Sequence, residues 1–534
     1  MSRKAILKSS SLLVGYSMLS RVLGLIRESV KAAFLGTTAL SDAFTVAFLI
    51  PNLLRRLFAE GTTSAAFIPT LKGYLSKNNK KETAEFLSAA LTFSVTIFTL
   101  TVIAGIFTSG IFVNIFGPEF DTQTADEAVF LTQIMFPYLG FISVAAFIQG
   151  ILNSAGIFGP SGFTSVLFNL AFIAAAFVLS PFTANPARAI SIGVTIGGMI
   201  QMGFQIPYLL KTGMRFSFSN FRTAFTHPGV KKVMRLISPT LLGMGAYQIN
   251  IIATTRIANK AGEGVVSSLQ FSNRLEELIL GVFVISLSTV ILPEFSTDAK
   301  EGRWDNFNKN LVFGIKLTAM ISLPAMVFTL LMRNEIVSLL FKFGKFDDES
   351  VRITAYALMF HISGLFFIAV TRILFPAFYA QEDTVSPTIA GVVSVIVNII
   401  AALMLVDSMK GGGVALASTI SAFVSTVLLV LMLKKGGKID LKGITNAFIY
   451  SFRFFIISAV CILPVFFLKK GIYNIFGKYT VFKGLWNRIV TELIPFSVIT
   501  VIFGVTLFTV LIVIKDENVT YLSDKIARKL KWKK

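Results

Sequence analysis

Long apolar stretches separated by short polar segments run along almost the whole chain. A helix needs roughly 20 mostly apolar residues to cross the hydrocarbon core of a membrane, so each stretch predicts one spanning helix. The fourteen expected helices lie near residues 10–35, 41–71, 84–110, 127–153, 160–181, 187–210, 232–256, 265–296, 307–332, 350–379, 386–406, 411–433, 445–468 and 487–514. The pattern therefore predicts an all-α polytopic membrane protein.

The charges of the connecting loops predict an orientation, because cytoplasmic loops are enriched in Lys and Arg. The second, sixth and twelfth loops and the C-terminal tail are basic, whereas the loop at 111–126 has acidic residues and no basic ones. The basic residues at 469–486 are an exception. We expect both termini in the cytoplasm. The first helix contains Arg21, Arg27 and Glu28 and no small-residue cleavage site, so we expect it to stay in the mature protein.

The composition supports a membrane protein. The 534 residues are 54% hydrophobic and 14% charged, against about 45–50% and about 25% in average soluble domains. The formal net charge of +21 would indicate nucleic acid in a soluble protein, but here the basic residues lie in loops and within spans, and no nucleic-acid partner is expected. A single cysteine, Cys461, excludes a disulfide framework and a Cys-based zinc site.

Two stretches of the chain repeat the same order of features. Residues 115–121 and 341–347 are Phe- and Gly-containing loops that end in Asp. Each precedes a helix, a polar turn, a Pro and a second helix that contains one Asn, Asn169 or Asn398. The copies are six helices apart, so both cross the membrane in the same direction. The alternative is chance similarity among Phe- and Gly-rich spans.

Parallel repeats of this kind are one of the standard transporter plans, with the substrate site between the halves. We therefore expect two six-helix lobes in parallel pseudo-repeat, an N-terminal lobe at 1–215 and a C-terminal lobe at 216–440. Helices thirteen and fourteen and a basic cytoplasmic tail follow at 441–534.

The first, second and eighth predicted helices are the least hydrophobic, because charged and small polar residues interrupt them. An ionised side chain inside a membrane is costly, so these helices either line a wet cavity or do not span the membrane. Arg56 and Glu60 are four positions apart, and Arg274 and Glu277 are three apart, so each pair shares a helix face and can neutralise its charges.

Three further arginines, Arg21, Arg27 and Arg55, have no acidic residue at that spacing. Their guanidinium groups are candidates to bind an external anion, because two donors in one plane match two phosphate oxygens. Several of them together could hold a diphosphate. The alternative is that they are ordinary anchors at the membrane interface.

Signals of catalysis are largely absent from the sequence. Neighbouring acidic residues do not form the helically spaced set that holds magnesium against a diphosphate, and the chain has no GxxxxGK[ST] motif. We therefore expect a protein that is not an enzyme. A membrane-embedded transferase and a scaffold for cell-wall enzymes are the alternatives from other functional classes.

The interrupted helices contain motifs that resemble those of the MurJ (MviN) family of bacterial lipid II flippases. These motifs are Ser20–Gly24, Ser41–Phe44, Pro51–Gly61, Asn273–Glu277, Ile291–Pro293 and Phe341–Phe346. The resemblance implies the fold of the MOP exporter superfamily, with two six-helix lobes around a cationic cavity and two helices that form a lipid-accessible groove. It also implies that undecaprenyl-diphosphate-linked disaccharide-pentapeptide moves from the inner to the outer leaflet of the cytoplasmic membrane by alternating access.

The resemblance also implies roles for single residues, by their positions in the motifs. The arginines that would hold the diphosphate are Arg21, Arg27, Arg55 and Arg274. The acidic residues that would pair with them and release them are Asp42, Glu60 and Glu277. Apart from these carried-over roles, Arg56, Asn52 and Arg372 are expected to support the cavity, because they are charged or polar residues in or at the ends of spans. The sequence departs from the family at Leu278–Ile279, where Phe-Pro is frequent, and at Tyr356, where a basic residue is expected.

The expected partners are lipid II, membrane lipids and other cell-wall synthesis proteins, and we expect a monomer without a cofactor. The membrane potential or a coupling cation would supply energy, and Asp383 is the candidate for the sodium site found in part of the family. The alternatives within the superfamily are a flippase or exporter of another lipid-linked oligosaccharide and a cation-coupled drug antiporter. A drug antiporter would favour acidic groups in its cavity, whereas these helices are rich in arginine.

Overall fold

The computed structural model shows an all-helical protein in the part of the chain that it describes. The described residues are 3–56, 66–214, 216–433, 439–477 and 485–516. Their side chains are described except at 3–14, 238–244, 246, 282–290 and 485. Glu60 and the basic C-terminal tail lie outside the described residues. Within these limits the predicted all-α class is confirmed.

The described part of the chain contains nineteen α-helices. They are α1 (Arg3–Leu35), α2 (Ala39–Arg55), α3 (Ile68–Ser76), α4 (Lys80–Phe107), α5 (Ser109–Phe116), α6 (Thr122–Ser154), α7 (Gly159–Val178), α8 (Pro186–Lys211), α9 (Phe221–Thr226), α10 (Pro228–Lys260), α11 (Val265–Lys300), α12 (Trp304–Phe341), α13 (Asp348–Ser363), α14 (Leu365–Tyr379), α15 (Val385–Leu433), α16 (Leu441–Cys461), α17 (Leu463–Gly477), α18 (Leu485–Arg488) and α19 (Ile494–Val513). Further helical segments include a 3-10 turn at Ser180–Phe182 and a π-helical turn at Ile489–Leu493.

Helices lie at all fourteen positions where spans are predicted. By length and composition, eight helices in the described part could cross a membrane, or nine if the bent pair α13 and α14 is one span. One of the eight is α15, which includes two predicted spans. The other four predicted spans, the first, second, seventh and eighth, each contain positions whose backbone or side chains are not described. The number fourteen therefore stays a prediction.

Local breaks explain why helices and predicted spans do not correspond one to one. Lys410 has φ 51° and ψ −133° inside α15, and this break separates the predicted eleventh and twelfth spans. The pair α13 and α14 is bent by 43° at Gly364. A Cβ at Gly364 would lie 2.7 Å from Oγ1 of Thr419, so only glycine allows α15 to approach this closely. The predicted loop at 111–126 is also partly helical, because α5 extends to residue 116.

Both repeated loops end on an aspartate that begins the next helix. Asp121 accepts a hydrogen bond from N–H of Thr124 at 2.6 Å, and Asp347 accepts one from N–H of Ser350 at 2.8 Å. These main-chain hydrogen bonds hold the pKa of each carboxyl below its usual value. The two copies therefore start α6 and α13 with the same N-cap.

The helices after these loops share a further contact. The hydroxyl of Thr195 in α8 donates to the carbonyl of Ile134 in α6 at 2.7 Å. The hydroxyl of Thr419 in α15 donates to the carbonyl of Phe360 in α13 at 2.6 Å. Each bond joins the helix after a repeated loop to the second span that follows it, which supports the repeat predicted from the sequence.

The contacts divide the chain into two compact units. Unit 1 is Met1–Gln270 with Phe341–Ser350, and unit 2 is Phe271–Leu340 with Val351–Lys534. The division falls within α11. It is not the predicted division into lobes, whose boundaries stay a prediction.

Within unit 1, the second repeated loop docks on the C-terminal end of α1. N–H of Lys345 donates to the carbonyl of Ala33 at 2.8 Å. Gly344 has φ 53°, and a Cβ there would lie 2.3 Å from the same carbonyl oxygen. Gly36 has φ 62°, and a Cβ there would lie 2.5 Å from the carbonyl oxygen of Lys345. Both positions therefore require glycine for steric and conformational reasons.

The first repeated loop makes the corresponding contact, also within unit 1. N–H of Glu119 donates to Oδ1 of Asn259, near the end of α10, at 2.8 Å. Glu119 and Lys345 are as far apart in the sequence as Ala33 and Asn259. The two docking contacts are therefore related by the repeat.

Candidate functional site

Arg27 lies in the C-terminal half of α1 and packs against α7. Its Nη1 donates to Oδ1 of Asn169 at 3.2 Å, and its Nη2 donates to Oε1 of Glu28 at 2.6 Å. The guanidinium carbon lies 5.7 Å from the ring centroid of Phe168 and 5.5 Å from that of Phe172. Aromatic faces attract a cation, and only 16% of the Arg27 side chain is exposed. The guanidinium is therefore held in place but still reaches the surface of unit 1.

The carboxylate of Glu28 lies between two cations. Besides Arg27, it binds Nζ of Lys31 at 3.2 Å. The Lys31 ammonium also donates to Oε1 of Gln270 in α11, which accepts from the hydroxyl of Thr45 in α2 at 3.2 Å. Two cations and one carboxylate give these three charged side chains a net charge of +1. We refer to these residues as the Glu28 network: Arg27, Glu28, Lys31, Thr45, Asn169 and Gln270.

Counting only acidic residues three or four positions away misses the partner of Arg27. Glu28 reaches Arg27 from the adjacent position, because both side chains are long. The site residues predicted from the sequence also do not include Lys31. The signal that could have found Lys31 is its spacing, three residues after Glu28 and four after Arg27, which places it next to both on α1.

Asp42 lies at the start of α2 and is 1% exposed. Its Oδ2 accepts from N–H of Gly264, and its Oδ1 accepts from N–H of Ser267, both at 2.7 Å. Because α11 begins at Val265, Asp42 satisfies two N–H groups at the N-terminus of that helix, where a negative charge is also favoured. The structure thus places Asp42 in a helix cap. Its predicted role as a switching partner of the arginines stays a prediction.

The remaining predicted residues of unit 1 lie on α1 and α2. Nε of Arg55 donates to Oδ1 of Asn52 at 2.9 Å, one turn earlier in α2. Nη1 of Arg56, the C-cap of α2, reaches the hydroxyl of Tyr247 in α10 at 3.5 Å. Arg21 lies on an exposed side of α1. Binding of a diphosphate by Arg21 and Arg55 stays a prediction, as does the supporting role of Arg56 and Asn52.

In unit 2, the predicted pairing of Arg274 with Glu277 is confirmed. Nη1 of Arg274 lies 3.1 Å from Oε2 of Glu277, and their side chains are 38% and 48% exposed. The adjacent Glu276 is buried. Arg372 lies on an exposed side of α14.

Asp383 begins α15. Its carboxylate accepts from N–H of Val385 and of Ser386, both at 2.9 Å, and from the hydroxyl of Ser386 at 2.6 Å. Partial burial acts to raise the pKa of Asp383, but the hydrogen bonds from Ser386 and Val385 outweigh it and hold the pKa below its usual value. Among the residues that the structure describes, no three His, Cys, Asp or Glu side chains are grouped to hold a metal ion. A cation site at Asp383 stays a prediction.

Comparison with known protein sequences identifies the family to which this chain is similar. The sequence model described as Lipid II flippase MurJ matches residues 31–482. The probable lipid II flippase MurJ of Treponema pallidum is 36% identical over 523 residues, which cover 97% of each chain. The lipid II flippase MurJ of Burkholderia cenocepacia is 34% identical over 427 residues, which cover 79% of this chain and 83% of that one.

Comparison with solved structures shows the same fold. A lipid II flippase MurJ in an inward closed conformation matches with a TM-score of 0.75 and 25% sequence identity, over 94% of this chain and 99% of that one. An inward-facing multidrug resistance MATE transporter of the MOP superfamily matches with a TM-score of 0.65 and 15% identity, over 82% and 98%. The second match shows the fold alone. The predicted MOP-type fold is confirmed.

Proposed function

The chain belongs to the MurJ family of lipid II flippases, and from this premise we propose that it moves lipid II across the cytoplasmic membrane. It is a multi-pass membrane protein. The observation that carries the proposal is the match to a probable lipid II flippase over 97% of both chains. The direction is from the inner to the outer leaflet, both termini are cytoplasmic, and the membrane is the inner one.

We propose that the diphosphate of lipid II binds at Arg27. The three charged side chains of the Glu28 network, those of Arg27, Glu28 and Lys31, are largely buried and together have a net charge of +1. An anion that binds there offsets the free-energy cost of burying this charge. A phosphate oxygen can replace the neutral amide of Asn169 on Nη1 of Arg27, because charge-assisted hydrogen bonds are stronger than those to a neutral acceptor. By the family resemblance, Arg21, Arg55 and Arg274 are further donors.

The polyprenyl tail would stay in lipid beside the last helices. α16, α17 and α19 pack on one another within unit 2. They present large exposed apolar side chains, among them Phe452, Phe467, Val501 and Phe508. Such a surface suits lipid chains. A monomer is sufficient for this scheme, and other cell-wall synthesis proteins would deliver and consume the substrate.

Transport leaves every bond of lipid II intact, so the proposed function assigns no catalytic residue. Alternating access requires two states that differ in affinity for the substrate. The membrane potential can bias them, since moving one charge across it is worth roughly 2.3 kcal/mol per 100 mV. A coupling cation is the other energy source that the family resemblance implies.

The proposal is tested in cells that depend on this chain as their sole flippase. The exposure of lipid II on the outer leaflet is measured with a membrane-impermeant probe. We expect wild type to maintain exposure and growth, and Arg27→Ala to lose both while still inserting in the membrane. Arg222→Ala, at an exposed position of α9, is the matched control and should behave as wild type. Wild type that leaves lipid II on the inner leaflet would contradict the function, whereas a fully active Arg27→Ala would contradict only the site.

A further inference from the structure

We propose that Lys31 is a positioning residue for the diphosphate: it neutralises Glu28 and so leaves the guanidinium of Arg27 available to the substrate. This inference rests on the proposed function. Lys31 is not part of the family motifs described above, and it does not need to touch the substrate.

The position of Lys31 is fixed by contacts from three helices. Its side chain is only 4% exposed, and a buried ammonium must be paired and hydrogen-bonded to be tolerated. Its partners include Glu28 on the same helix and Gln270 of α11. Gln270 is in turn held by the hydroxyl of Thr45 of α2. The ammonium is therefore held next to the carboxylate.

The two oxygens of Glu28 are divided between the two cations. Oε1 accepts from Arg27 at 2.6 Å, and Oε2 lies 3.2 Å from Nζ of Lys31. Without Lys31, Arg27 and the carboxylate would form a neutral pair, and a diphosphate that replaces Asn169 on Nη1 of Arg27 would meet no net positive charge. With Lys31 in place, the three charged side chains keep a net charge of +1, and the carboxylate stays compensated when Nη1 of Arg27 binds the phosphate. Lys31 therefore favours the exchange of partners at Arg27.

Exposure separates the roles of the two cations. The Arg27 side chain is four times as exposed as that of Lys31, at 16% against 4%. Arg27 also presents a planar pair of donors that matches phosphate oxygens, whereas an ammonium is a point charge. Arg27 is thus placed to contact the ligand, and Lys31 is placed to set its charge balance.

The test is a double-variant cycle on the full-length protein in detergent, with lipid II and farnesyl diphosphate as probes. The net charge of the three side chains is 0 in Lys31→Met, +2 in Glu28→Gln, and again +1 in the double variant. We expect Lys31→Met to weaken the binding of both probes by about ten-fold, as loss of one nearby charge does at moderate dielectric screening. Affinity in the double variant should return to within about three-fold of wild type. Lys300→Met, at the exposed end of α11, is the control for total charge and should leave affinity unchanged.

A purely structural bridge would behave differently. In that case the double variant would bind no better than Lys31→Met, and both would unfold at a lower temperature than wild type. That result, or an unchanged affinity of Lys31→Met, would overturn the role of Lys31. Failure of the proposed function is a separate outcome, because wild type would then bind neither probe and would not expose lipid II in cells. If Arg27→Ala loses binding and Lys31→Met keeps it, only the present inference fails.

Discussion

Oδ1 of Asp42 accepts a hydrogen bond from N–H of Ser267 at 2.7 Å, so a carboxylate of α2 caps the N-terminus of α11. The same carboxylate accepts from N–H of Gly264 through its other oxygen. Both bonds are buried, so they connect two helices of unit 1 at a point from which water is excluded. This arrangement gives Asp42 a structural task that is distinct from pairing with arginine.

We expect Asp42→Ala to destabilise the protein by about 2 kcal/mol or more, since it leaves two buried N–H groups of a helix end without an acceptor. The measurement is the thermal unfolding midpoint in detergent, with Asp126→Ala at an exposed position of α6 as the control. If Asp42 acted only as a switching partner, its variant would be inactive but as stable as wild type.

Gly344→Ala tests the docking of the second repeated loop on α1. Alanine at a positive φ costs about 1–2 kcal/mol by itself. Here the new Cβ would also lie 2.3 Å from a carbonyl oxygen of Ala33, so the loop must move away. Gly302→Ala is a matched control, because Gly302 has φ 70° but open space around its Cβ position. We expect Gly344→Ala to lower the unfolding midpoint clearly more than Gly302→Ala; equal effects would show that the docking contact adds no constraint.

The start of α10 should respond to pH through His227. Burial lowers the pKa of His227 below its usual 6.5, although Glu85 acts to raise it. Nδ1 of His227 accepts a hydrogen bond from N–H of Gly229 at 3.1 Å, so Nδ1 must carry no proton. The imidazole therefore binds protons more readily in the unfolded state, and its contribution to stability is complete above about pH 6.5 and is lost as the pH falls towards the lower folded value.

This effect can be followed by hydrogen exchange of residues 229–232, corrected for the intrinsic rate at each pH. Protection in wild type should decrease between pH 7.5 and pH 5. His227→Asn keeps a side-chain acceptor but does not titrate in this range, so its protection should stay nearly constant. A variant with the same pH dependence as wild type would exclude His227 as the cause.

A bidentate ion pair joins α8 to α6. Nε and Nη2 of Arg188 donate to the two oxygens of Glu127 at 2.9 and 2.6 Å, and the guanidinium carbon lies 4.2 Å from the ring centroid of Phe130. The ammonium of lysine can neither donate two parallel hydrogen bonds to the carboxylate nor stack a planar group on the aromatic ring. Arg188→Lys should therefore lower the free energy of unfolding by about 1 kcal/mol. The unfolding midpoint measures this loss, and Arg222→Lys on the exposed face of α9 should show none. An unchanged midpoint for Arg188→Lys would mean that the charge alone is sufficient.

The sequence predicts the helices because membrane spans follow from hydrophobicity over about twenty residues. The repeat is also visible in the sequence, and Asp121 and Asp347 show why: each loop needs an acceptor at the start of the next helix. Breaks inside helices are less predictable. The bend at Gly364 depends on the approach of Thr419 from another helix, which local sequence does not record.

For the candidate site, the sequence identifies which charges need partners but not which partners they have. The pairing of Arg274 with Glu277 follows from helical spacing and is confirmed. The cap formed by Asp42 and the contact between Lys31 and Gln270 join residues far apart in the chain, and only the packing of α1, α2 and α11 brings them together.

The docking of the second repeated loop has a practical consequence for spectroscopy. N–H of Lys345 makes the bond to Ala33, whereas its exposed side chain has no share in that bond, so a dye on Lys345→Cys would leave the bond intact. The single native thiol, Cys461, is buried, so this variant would take one fluorophore without prior removal of other thiols. Departure of the loop from α1 during turnover could then be recorded as a change in emission.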